Sequence, residues 1–102
     1  MTRMEVILKE RHDRMLARLD GAASDLRHAA ESCGAHIMFF GSFARRAVHD
    51  RSDLDVLILK ESPAGSTKAF EERADRIGAK HDVFIDLRHE DKAEHLREGC
   101  VQ

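Results

Sequence analysis

The sequence predicts an α+β domain of two layers, and three observations predict it. Apolar residues recur at helical spacing through the first third of the chain. Two short, nearly all-apolar runs, His36 to Phe40 and Leu54 to Leu59, have strand length. After the only proline, a second helical pattern is followed by an alternating run, Asp82 to Leu87. The order is helix, strand, strand, helix, strand, with a polar end.

The first helical region, residues 1–33, is carried by Met4, Leu8, Met15, Leu19, Ala22, Leu26, Ala29 or Ala30, and Cys33, which fall on one stripe. Gly21 keeps the phase but costs about 1 kcal/mol relative to alanine, so one long helix and two helices meeting at Asp20-Gly21 are both open. Gly34 offers a left-handed stop. Ser62 to Thr67 is a loop, Phe70, Ala74 and Ile77 then mark a helix with Ser66 or Thr67 as N-cap, and Gly78 reads as its end. Residues 88–102 are polar and read as a tail or short helix, which leaves 36–87 as the core of a single domain.

Composition narrows the function. At 102 residues a sizeable core is possible, but an enclosed active site or a tethered substrate domain is not expected. With 17 basic against 19 acidic residues, the net charge of −2 gives no general field for nucleic acid or an anionic membrane. There is no apolar run of membrane-spanning length and no secretory leader, so a cytoplasmic protein is expected. Cys33 and Cys100 have neither CxxC nor zinc-ligand spacing and read as small apolar residues.

The stretch from Phe40 to Leu57 carries the chemistry. In a strand, Asp53 and Asp55 point the same way, with Cα atoms about 6.5–7 Å apart, while Leu54, Val56 and Ile58 face the core. Two carboxylates on a rigid support suit Mg²⁺, which takes one or two carboxylates plus substrate phosphates. Upstream, Gly41 lets a phosphate approach the backbone, the Ser42 hydroxyl can donate to it, and Arg45 or Arg46 follows about one helical turn later with a fork matched to phosphate oxygens.

Gly41-Ser42-x-Ala44-Arg45, followed by Ser52-Asp53-Leu54-Asp55 with Asp53 twelve positions after the glycine, resembles the nucleotidyltransferase superfamily of the DNA polymerase β type, and within it the minimal nucleotidyltransferase (MNT) subgroup. The resemblance runs more loosely from His36 to about Leu87. It implies a small mixed sheet with helices on one face, a nucleotide held by Gly41, Ser42, Arg45 and Ser52, and two Mg²⁺ ions held by Asp53 and Asp55. It also implies a third carboxylate from a later strand. Asp82, four residues after Gly78, is favoured, although His81 stands where the family has a hydrophobic residue; Asp86 is the alternative, and the two have the same strand parity.

The implied activity is transfer of a nucleoside monophosphate, AMP from ATP, to a hydroxyl. Small drugs are a poor fit for the acceptor, because family members that modify them carry a second helical domain. Stand-alone MNT proteins are commonly encoded beside a HEPN protein as toxin–antitoxin pairs, which implies a helical protein partner. The competing reading is a binding module that holds a nucleotide, or only a partner, and neutralises the partner by covering it, with the amphipathic N-terminal region as partner or dimer surface. Arg76/His81 and Arg88/His95 match the spacing of HEPN ribonucleases by accident, since one pair spans a helix end. His12, His28 and His36 have no metal-ligand spacing, and His49 reads as a solvated loop residue.

Overall fold

A computed structural model of the protein describes residues 2–48 and 52–90, with only the backbone of residues 4–8. The elements are α1 (Arg3–Cys33), β1 (Ile37–Phe40), α2 (Gly41–Ala44), β2 (Leu54–Ile58), α3 (Ala64–His81) and β3 (Ile85–His89). His49, Cys100 and most of the polar tail lie outside the described residues.

One three-stranded mixed sheet forms, in the order β1-β2-β3. β1 runs antiparallel to β2, with Phe40 opposite Asp55. β3 runs parallel to β2, with Asp55 opposite Asp86. The parallel pair needs a crossover, and α3 supplies it. Helices α1 and α3 pack against each other. Ile37 and Phe39, Leu54, Val56 and Ile58, and Ile85 and Leu87 join the helices in one core with Leu19, Leu26, Phe70 and Ala74. By alternation the opposite face carries Met38, Phe40, Asp55, Leu57, Asp86 and Arg88.

α1 is one 31-residue helix, which settles the question left open at Gly21. A Cβ there would stand 3.1 Å from the His81 ring of α3, so the glycine is where the second helix comes close. The stripe is the core face: Met15, Leu19, Ala22, Leu26, Ala29 and Ala30 are buried. The helix ends as expected, with Gly34 at φ +80° and the Ala35 N–H donating back to the Ala30 carbonyl.

Three local expectations are corrected. Ser66 and Thr67 do not cap α3: the helix begins at Ala64 after Pro63, and their hydroxyls donate back to the carbonyls of Pro63 and Ala64. Gly78 does not end the helix, which runs to His81. The left-handed residue is Asp82, at φ 54°, with its N–H to the Ala79 carbonyl and the Val83 N–H to the Gly78 carbonyl. Gly78 serves this reversal differently, because a Cβ there would lie 2.9 Å from the Val83 carbonyl oxygen. The third correction follows: the strand starts at Ile85, not Asp82. No helix among the described residues is long and apolar enough to cross a membrane.

Candidate functional site

The motif residues gather at one end of the sheet. β1 delivers Gly41 at its C-terminal end, and the chain turns there into α2 with Gly41 at φ +73°. The backbone needs glycine on two counts, because a Cβ at Gly41 would clash with the Asp55 Oδ2 atom. The Asp55 carboxylate therefore lies against the Gly41 backbone. Ser42 and Ser52, ten positions apart, are joined by a 3.2 Å hydrogen bond between their hydroxyls, which ties the turn after β1 to the approach to β2; Ser52 is buried.

Asp53 is exposed just before β2, and Asp55 is half-buried within it. Burial pushes the Asp55 carboxyl above its ordinary range, and the charges of Asp86 and then Asp53 push it further; Arg88 and Arg45 pull the other way. Each of these groups acts on Asp55, so three carboxylates and two guanidinium groups share one locality. The burial is that of an acid set on a strand whose neighbours Leu54 and Val56 are wholly inside.

Asp86 is the later carboxylate that the fold brings to this set, directly opposite Asp55 in the parallel ladder. Adjacent strands lie about 4.8 Å apart. Asp82, the favoured candidate, is at the end of α3, its side chain 95% exposed and 3.2 Å from the Arg18 guanidinium of α1. Its backbone is spent on the turn, and it lies outside the strand. Arg46 is also drawn away, at φ 56°, to Asp20 of α1 at 3.2 Å and over the Phe43 ring at 5.4 Å. Arg45 stays exposed at the end of α2.

In the sequence Arg88 entered only through its accidental spacing to His95, not as a partner of the acids. Its Nε donates to Asp86 Oδ1 at 3.2 Å and its Nη2 to Oδ2 at 3.3 Å, a side-on fork that fixes the carboxylate. The signal was present: Arg88 has the parity of Asp86 and stands two positions beyond it.

Asp53, Asp55 and Asp86 are hard oxygen donors. Among the described residues no group of three His, Cys, Asp or Glu side chains is placed to hold a metal ion by itself. An open carboxylate edge still suits Mg²⁺, whose shell is normally completed by water and substrate phosphates, and the mutual repulsion expressed at Asp55 is what a cation would relieve. Two surface grooves, of about 490 and 460 Å³, lie elsewhere: one between α1 and α3 beside His28 and Arg76, the other between α1 and β1 beside Arg27 and Phe39. Neither is lined by Gly41, Ser42, Asp53, Asp55 or Asp86.

Comparison with curated proteins and with solved structures returns no match. Comparison with protein-family models matches residues 19–98 to the nucleotidyltransferase domain, a span that takes in α1 from Leu19, all three strands and every acid described above. The match covers most of the chain and meets a sheet that gathers a glycine-serine turn and three aspartates at one end, and on that ground the chain belongs to the nucleotidyltransferase domain family.

Proposed function

We propose that the chain transfers AMP from ATP to a hydroxyl of a protein partner, with Mg²⁺, as the MNT member of a toxin–antitoxin pair whose other half is a HEPN-type protein. The observation that carries the transfer reading is Asp55, held against the Gly41 backbone and between the charges of Asp86 and Asp53. A phosphate chain lying along Gly41 and Ser42, reached by Arg45, brings its α-phosphorus to these acids.

Mg²⁺ would be held by Asp53 and Asp55, as one or two ions, and when bound it neutralises charge on the phosphate oxygens. Asp86 takes the proton of the acceptor hydroxyl. The acceptor oxygen then forms its bond to the α-phosphorus as the bond to the bridging oxygen of the β-phosphate breaks, and pyrophosphate leaves with that electron pair. Arg88 holds the Asp86 carboxylate by its two oxygens, which fixes the direction from which the hydroxyl can be approached. Supporting Asp86 over Asp82 is its place opposite Asp55 in the ladder.

Incubating the chain with a co-expressed helical partner, α-labelled ATP and Mg²⁺ tests the reading. Label should pass to the partner and be lost with Asp53→Asn/Asp55→Asn. A partner that binds tightly and is neutralised without taking label would establish the binding-module alternative.

A further inference from the structure

We infer that Phe84 is the seat of the acceptor, and that the acceptor is a polypeptide segment presenting an apolar side chain near its hydroxyl with basic residues at its flanks. The inference rests on the transfer reading and adds to it the side from which the acceptor enters and what holds it there.

Phe84 is 68% exposed, the single large hydrophobic left in water among the described residues. Val83 before it is buried and Ile85 after it packs on the core, so Phe84 lies on the outer side with Asp86. Its carbonyl accepts the Leu54 N–H at 2.9 Å, which carries the parallel pairing one residue beyond β3 and sets Phe84 beside Asp53. The ring thus borders the acids on the β3 side. The Gly41-Ser42 turn borders them on the β1 side, with β2 between. Attacking and leaving oxygens lie roughly in line across the reacting phosphorus. With the leaving phosphates on the β1 side, the acceptor comes from the β3 side, where the ring is. Covering an exposed phenyl ring is worth about tenfold in affinity or more.

The charge around the ring selects the acceptor's class. Asp53 and Asp86 flank it, and Asp82, with its side chain 95% exposed, stands two residues upstream. The nearby guanidinium groups are already engaged, Arg18 with Asp82 and Arg88 with Asp86. Three carboxylates, Asp53, Asp82 and Asp86, stand around the ring against the two guanidinium groups of Arg18 and Arg88, so a phosphodiester strand would meet a net negative charge with both of those guanidinium groups already taken, whereas lysine or arginine beside an apolar anchor is complementary to it.

The chain has no tryptophan and no tyrosine, so Phe84→Trp installs a single fluorophore at the proposed seat. The probes are a capped pentapeptide of lysine, leucine, serine, leucine and lysine, the same peptide with glutamate in place of lysine, and a short oligoadenylate. Each is titrated with Mg²⁺ and a non-hydrolysable ATP analogue present, and binding of the analogue is measured separately by calorimetry. The lysine peptide should move the tryptophan emission to shorter wavelength, with a midpoint at least tenfold below that of the glutamate peptide. Phe84→Ala should weaken its calorimetric binding at least tenfold relative to the parent and leave the analogue's affinity within twofold. Equal peptide binding by the parent and Phe84→Ala overturns the inference, as does a response to oligoadenylate in place of the peptide. If the analogue itself does not bind, the transfer reading fails, and the role given to Phe84 falls with it.

Discussion

Gly41→Ala concentrates the geometry of the site into one methyl group. Gly41 has φ +73°, in the region that costs an L-residue with a side chain about 1–2 kcal/mol. The added Cβ would also overlap the Asp55 carboxylate, which must leave its rotamer at a further cost of about 0.5–1.5 kcal/mol. The expected loss is therefore about 2–3 kcal/mol. For a domain of this size that lowers Tm by about 10–20 °C. Urea unfolding of the parent, Gly41→Ala, Asp55→Ala and the double variant forms a cycle that separates the two parts. In the double variant the carboxylate is gone, so the cost of the alanine should fall to its backbone share, with a coupling energy of about 1 kcal/mol. Mg²⁺-dependent ATP binding, followed by calorimetry, should weaken at least tenfold in Gly41→Ala because Asp55 no longer lies against the turn. A Gly41→Ala protein that melts within about 2 °C of the parent and binds ATP as well would refute the close approach. A full-sized alanine cost in the Asp55→Ala background would instead attribute everything to the backbone.

Asp86→Asn should reduce transfer by about 10²–10⁴-fold, the usual contribution of a general base, with ATP binding close to normal; Asp82→Asn should cost less than tenfold, and single-turnover labelling distinguishes them. In metal-free solution Asp55→Asn should raise Tm at neutral pH, because a carboxyl pushed up by burial and by Asp86 stabilises the fold only while protonated; the advantage should disappear below the ordinary value of 3.8. Asp25 shows the opposite sign: hydrogen bonds with His81 at 2.7 Å and Lys80 at 3.1 Å hold its carboxyl low, so its contribution is present above 3.8 and lost as pH falls through the depressed value. Thermal melts between pH 2 and 6 should therefore lose part of their acid sensitivity in Asp25→Asn. Phe39→Ala, at a wholly buried ring packed edge-on to Phe43 at 5.6 Å, should destabilise by about 3–5 kcal/mol.

What the sequence made legible is what alternation and helical spacing encode. Leu54, Val56 and Ile58 belong to the core and Asp55 does not, and a period of two is enough to say so. The α1 stripe was equally open, since each buried position repeats at three or four. Gly21 was ambiguous for a different reason. Its glycine answers to His81, sixty positions away, and no local pattern contains that contact.

The third carboxylate shows where such reading stops. Asp82 and Asp86 have one parity, so periodicity ranks them equally, and the choice turned on where α3 ends. A glycine is the usual left-handed residue after a helix, and Gly34 obeys that rule at the end of α1. At the end of α3 the left-handed residue is Asp82, a role that a short polar side chain tolerates. Gly78, which looked like the stop, instead leaves space for the returning chain at Val83. Moving the helix end from Gly78 to His81 moves the strand start from Asp82 to Ile85. It also sets Asp86 opposite Asp55 and puts Arg88 on the same face. One backbone conformation thus decides which acid stands opposite Asp55, and it does so through hydrogen bonds to the Ala79 and Gly78 carbonyls that a sequence pattern does not display.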